Sequence, residues 1–208
     1  MKNNPYKIVQ MFEEEIATFT GAPYAISIDS CTNALFLICK YLKVSEVIIP
    51  SKTYLSVPQS IMHAGGTVVF DKSQETNDWR GIYQLKPYPI YDAAKRLRKE
   101  MYIDEAFMTL SFHIKKNLGI SKGGMILTDN AEAAQWFKKA RYEGRSEKNY
   151  KEDDITFLGW NMYMTPQQAA HGLALLQNYN PDTQDQEEVD GYRDLTEFSV
   201  FKNNRIIE

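Results

Sequence analysis

Long apolar runs are missing from this chain of 208 residues. No stretch reaches the ~20 apolar residues that cross a bilayer, and the N-terminus lacks the apolar core of a secretory leader. The reading is a cytoplasmic protein with no membrane contact. Cysteine is nearly as scarce, with only Cys31 and Cys39. Their spacing on one predicted helix sets them about 12 Å apart at the helical rise, too far for a disulfide. Reduced thiols are expected. The three histidines, His63, His113 and His171, form no metal-ligand spacing, and His171, inside an apolar helix, reads as packed. Repeats and low-complexity tracts are absent. A net charge of −3 argues against a nucleic-acid partner. The single basic run, Lys95-Arg96-Leu97-Arg98-Lys99, reads as a solvated face that at most meets a substrate diphosphate.

What is present is alternation. Asn4-Pro5 opens a helix whose apolar residues Ile8, Met11, Phe12, Ile16 and Phe19 recur at helical spacing. Strands are expected near 24–28, 46–50, 67–70, 88–91, 107–112 and 124–128, and helices near 31–43, 54–64, 130–142 and 165–178. This order predicts an α/β fold, a three-layer, mostly parallel sheet with helices on both faces. Ligands of such sheets bind beyond the carboxyl ends of the strands. Residues 1–178 read as the main domain and 179–208 as a tail. Within that tail the polar, acidic stretch 178–190 reads as an exposed connection, and 198–207 has some strand character.

The chemistry concentrates in five patches. Ser111-Phe112-His113-Ile114-Lys115-Lys116-Asn117-Leu118, followed by Lys122-Gly123-Gly124-Met125, presents a lysine at a strand end. Desolvation there disfavours the ammonium form and frees an amine for carbonyl chemistry. Tyr88-Pro89-Ile90-Tyr91-Asp92-Ala93-Ala94 ends a short apolar run in one acid, where a helix N-cap is the plainer reading. Asp29-Ser30-Cys31-Thr32-Asn33 turns from a strand into a helix N-terminus, a place that favours an anion. Ile48-Ile49-Pro50-Ser51-Lys52-Thr53-Tyr54 sets an aromatic ring after another strand, and Leu158-Gly159-Trp160-Asn161-Met162-Tyr163-Met164 precedes Gln167-Gln168-Ala169-Ala170.

Taken in order, these patches resemble the signatures of the DegT/DnrJ/EryC1/StrS aminotransferases, which use pyridoxal phosphate on nucleotide-linked sugars. The resemblance implies a reduced form of the aspartate-aminotransferase-like (fold type I) large domain. It makes Lys116, not Lys115, the Schiff-base lysine and general base, and Asp92 the partner of the cofactor's ring nitrogen. Tyr54 would stack on the ring, with Ser30, the backbone of Cys31, Thr32 and Ser111 on the phosphate. His113 belongs to the signature without a defined role. Asn161 would reach the site of the neighbouring subunit in a homodimer. The implied reaction moves an amino group from an amino acid such as glutamate to a keto group of a nucleotide sugar.

Departures from the family pattern are also legible. Lys95 stands where a glutamine meets the cofactor's phenolic oxygen, and Tyr163 replaces an arginine. Only 20 residues lie between Asp71 and Asp92, fewer than the ~30 of a βαβ unit, so the sheet must be smaller or closed differently. The tail is too short for the family's C-terminal domain, which raises the alternative of a cofactor-binding remnant with little turnover. A thiol hydrolase built on Cys31, its pKa lowered by the helix N-terminus, is a third reading.

Overall fold

The computed structural model describes residue 4, residues 6–187 and residues 191–208. Pro5 of the expected helix cap and the last three residues of the expected connection, 188–190, lie outside the described residues. In chain order the elements are α1 (Lys7–Thr20), β1 (Tyr24–Ile28), α2 (Cys31–Leu42), β2 (Glu46–Pro50), α3 (Ser56–His63), β3 (Thr67–Asp71), α4 (Gln74–Asn77), β4 (Tyr83–Leu85), β5 (Ile90–Asp92), β6 (Phe107–Ser111), β7 (Gly124–Thr128), α5 (Ala131–Ala140), α6 (Pro166–Leu176) and β8 (Arg205–Ile207).

Strands β1, β6 and β7 are apolar runs buried almost throughout, the pattern of strands covered on both faces. They lie side by side in a sheet ordered β1-β7-β6-β5-β4, with β1 at one end, beside a parallel sheet ordered β2-β3-β8. A single antiparallel bridge, Ile48 to Lys86, joins the two pieces between β2 and β4. Following the pairings across that bridge, β4 and β7 run against the other six described strands. The expected mostly parallel layer therefore holds, with its unexpected member at β4. The short link between Asp71 and Asp92 makes one turn of helix and an antiparallel β4–β5 hairpin in place of a βαβ unit.

Helices α2, α3 and α5 cover one face with Leu35, Leu37, Ile38, Val57 and Phe137, while α1 packs the other through Val9, Phe12 and Ile16. Local chemistry starts the helices. Ser30, Asn130 and Thr165 each accept a hydrogen bond from a first-turn backbone N–H, and Thr165 with Gln168 completes a capping box. Four expectations are corrected. His171 is exposed on α6 rather than packed. The basic run is no solvated face: Lys95 and Leu97 are buried, and Arg96 and Arg98 pair with Asp185. Asp185 and Gln186 of the supposed exposed connection are half-buried, and only Arg205–Ile207 of the C-terminal segment forms a strand, on the edge of β3.

A buried ion pair ties the layers together. Arg141 Nη1 donates to Glu13 Oε1 of α1, to the Ser27 carbonyl of β1 at 2.6 Å and to the Ser27 hydroxyl at 2.9 Å. Glu13 also accepts the Ser27 N–H at 2.9 Å. Arg141→Leu leaves the buried Glu13 to its longer 3.9 Å ion pair with Lys138, and is expected to cost about 3 kcal/mol in urea unfolding. Adding Glu13→Leu should return much of that loss.

Candidate active site

Every sequence-derived candidate except Asn161 lines one cavity of about 510 Å³. It lies beyond the carboxyl ends of β1, β2, β5 and β6, where Asp29, Ser51, Asp92 and Ser111 end or follow their strands. Lys116 and Asp92 share that cavity. So do Ser30, Cys31, Thr32, Tyr54, Lys95, Ser111 and His113. Asn161 lies apart and exposed, its Nδ2 donating to Glu143 Oε1 at 2.9 Å.

One end of the cavity is built from the start of α2. Ser30 Oγ accepts the Asn33 N–H at 3.2 Å and donates to Asp29 Oδ1 at 3.1 Å. Its capping role is thus real, and the same geometry opens the helix N-terminus onto the cavity. A Cβ on Gly124 would overlap the backbone of Ser30 and Cys31, so only glycine lets β7 approach the start of α2 this closely. Thr32 Oγ1 donates to Ser56 Oγ at 2.9 Å. Ser56 opens α3, so two helix N-termini converge on the cavity.

At the other end sits Asp92, only 5% exposed. Its Oδ1 accepts the Ala94 N–H at 2.9 Å and its Oδ2 the Tyr83 hydroxyl at 3.1 Å. Burial pushes this carboxyl above its usual range; the Ala94 and Tyr83 hydrogen bonds and the charges of Lys116 and Lys95 pull the other way. The helix-cap reading fails here, because a turn, not a helix, follows Asp92. Lys95 Nζ lies 5.2 Å from the Trp79 ring centroid and 4.7 Å from that of Tyr192, and those two rings stack at 5.7 Å. Lys116 is half-buried and donates its N–H to the His113 carbonyl at 2.8 Å, while Lys115 is exposed.

Cys31 runs opposite to expectation. Burial and the Asp92 charge push its thiol up, although Thr109 and Lys116 oppose them. A raised thiol holds little thiolate, which counts against the hydrolase reading.

Residues missed in the sequence include Thr53, Tyr83, Trp79, Gln186 and Tyr192. Gln186 and Tyr192 come from the tail and form part of the cavity wall. The Gln186 N–H donates to the Lys95 carbonyl at 2.9 Å, and its Nε2 reaches the Lys115 carbonyl. Nothing local marks Gln186 and Tyr192, since Lys95 and Lys115 lie far away in sequence. Ser56, directly after the Thr53-Tyr54 patch, had the one usable signal, a serine at a predicted helix start.

An amine and a buried acid thus share one cavity of an α/β protein, with hydroxyls at a helix N-terminus beside them. The chain belongs to the DegT/DnrJ/EryC1/StrS aminotransferase family, which matches residues 2–78 and 102–195. Members of that family depend on pyridoxal phosphate. The spore coat polysaccharide biosynthesis protein SpsC of Bacillus subtilis is 27% identical over 88% of this chain and 60% of its own. The UDP-4-amino-4,6-dideoxy-N-acetyl-beta-L-altrosamine transaminase of Campylobacter jejuni is 22% identical over 90% of this chain and 61% of its own. The chain thus spans about 60% of the length of these curated relatives. A DegT/DnrJ/EryC1/StrS aminotransferase from Brucella abortus superposes with a TM-score of 0.76 at 18% identity, over 96% of this chain and 80% of that one, and shares the fold. The unmatched stretch 79–101 carries Trp79, Tyr83, Asp92 and Lys95.

Asp92 makes the cofactor-free site pH-sensitive. The native carboxyl holds its proton more tightly than in the unfolded chain. The stability this proton confers is full below the unfolded carboxyl range and is lost as pH rises through the raised native value. Asp92→Asn keeps an acceptor for Ala94 and a donor for Tyr83, and carries no such loss. Urea midpoints of the cofactor-free proteins should coincide in acid, with the variant gaining on wild type towards pH 8.

Proposed function

We propose that this protein is a pyridoxal-phosphate-dependent aminotransferase that moves an amino group from an amino acid, glutamate by family resemblance, to a keto group of a nucleotide-linked sugar in the cytoplasm. The observation that carries the reading is the meeting of Lys116 and Asp92 in one cavity under the N-terminus of α2. When bound, pyridoxal phosphate supplies an aldehyde that carries the nitrogen and a ring that takes up electrons. The residues present fit that group. A buried acid suits a protonated ring nitrogen, and hydroxyls at a helix N-terminus suit a phosphate.

In this reading Lys116 holds the cofactor through its aldehyde, and its amine, once released, moves a proton at the substrate carbon. Asp92 holds the proton at the ring nitrogen. Tyr54 covers the ring face, where offset stacking adds about 0.5–1.5 kcal/mol beyond burial. Ser30, the Cys31 backbone, Thr32 and Ser111 anchor the phosphate, and His113 borders the same space. Lys95, close enough to act on Asp92, places its positive charge near the phenolic oxygen and favours the phenolate. Residues 1–178 form the cofactor-binding unit and 179–208 its tail. Asn161, exposed and away from its own cavity, is assigned to the neighbouring subunit of a homodimer. The transaminase relative's UDP-sugar name supports the acceptor class.

Wild type mixed with pyridoxal phosphate should develop a visible absorption band, and borohydride should fix the cofactor's mass on the Lys116 peptide. Lys116→Ala should abolish both, while Lys115→Ala keeps them. With glutamate and a keto-sugar nucleotide, nitrogen transfer should fall to background in Lys116→Ala. Cofactor uptake without transfer by wild type would favour the inert remnant instead.

A further inference from the structure

The family match passes over the stretch that carries Asp92 and the β4–β5 hairpin. In its antiparallel register Tyr83 pairs directly with Asp92, and residues directly opposite share a face of the sheet. Tyr83 is 8% exposed, Asp92 5% and Thr53 2%. The Tyr83 hydroxyl lies 3.1 Å from Asp92 Oδ2 and 2.7 Å from Thr53 Oγ1. Its ring is steadied by Trp79, with centroids 4.7 Å apart. Asp92 and Thr53 line the cavity and Tyr83 does not. Any influence of Tyr83 on a bound molecule therefore passes through its cavity-lining neighbours, of which Asp92 alone carries a charge.

We propose that Tyr83 is a positioning residue for Asp92: its hydroxyl, itself held by Thr53, fixes one carboxylate oxygen so that the acid meets the cofactor's ring nitrogen as an anion. This rests on the pyridoxal-phosphate reading above. An ionised carboxylate only accepts hydrogen bonds, so the chain of hydroxyls runs one way. Thr53 donates to Tyr83, and Tyr83 donates to Asp92. Burial, reinforced by the Asp92 charge, pushes the phenol well above its usual range and keeps it a donor. A donor at that oxygen favours the anion against the cost of burial. The Ala94 N–H serves the other oxygen.

The test compares the affinity of wild type and Tyr83→Phe for pyridoxal phosphate and for its 1-deaza analogue, in which C–H replaces the ring nitrogen. Phenylalanine preserves the packed ring and deletes only the hydroxyl. The variant should bind pyridoxal phosphate about tenfold more weakly or worse, the scale of a hydrogen bond to a charged group, and bind the analogue as wild type does. Binding needs ionised Asp92, so it fails as pH falls through the carboxyl's pKa. Without the Tyr83 donor that failure should begin at a higher pH. Thr53→Val should act in the same direction and Thr53→Ser should restore binding, which carries the test if Tyr83→Phe does not fold. Equal weakening for both compounds, or none for either, overturns the proposal and leaves the cofactor reading standing. Wild type that takes up neither compound overturns both.

Discussion

A carboxylic acid sealed from water at the end of β5 is the constraint on which the rest of the site depends. An isolated ionised carboxylate in an apolar interior is costly, and proteins tolerate one only when it is paired and hydrogen-bonded. Asp92 has hydrogen bonds from Ala94 and Tyr83 and feels the charges of Lys116 and Lys95. These do not cancel the effect of burial, since the net push is still toward the neutral acid. A cation brought directly against it would complete the balance. The protonated ring nitrogen of the proposed cofactor is such a cation. Its binding would then stabilise the fold as well as equip the site, because a ligand taken up by the native state alone shifts unfolding by mass action.

Much of this was legible in the residues. The strands at 24–28, 46–50 and 124–128 are apolar runs whose bounds follow from burial on both faces. Ser30, Thr32, Ser111 and Lys116 were recognisable because each sits inside a contiguous motif. β4 escaped notice: it is three residues long, lies just before Lys86-Pro87 and has no periodic pattern. Tyr83 escaped with it, because its importance comes from a cross-strand partner. His171 was misread through composition. Its helix is apolar, but Ala169 and Gly172 are its only residues buried in the chain.

The tail shows the same limit in another form. A polar, acidic stretch reads as solvated, yet Asp185 finds Arg96 and Arg98, the two arginines of the basic run. Each segment taken alone looks like surface; together they neutralise one another and close a wall. The Arg96 contact is two-pronged, at 2.9 and 2.7 Å, the geometry that gives arginine–carboxylate pairs their specificity. Gln186 and Tyr192 follow this anchor into the cavity wall. The tail residues described are thus part of the site's architecture, and Lys95 lies against the Tyr192 ring they deliver.

The pairing of β8 with β3 has a consequence for how the chain acquires its shape. Val69 and Arg205 are neighbours in the sheet although far apart in the chain, so the outer rim of β3 stays uncovered during synthesis long after β3 itself has been made. An uncovered rim is a template for other chains. Contacts of such long range are also among the slowest to form. The nascent protein therefore passes through an interval in which most of its interior can assemble while one border is still open to wrong partners.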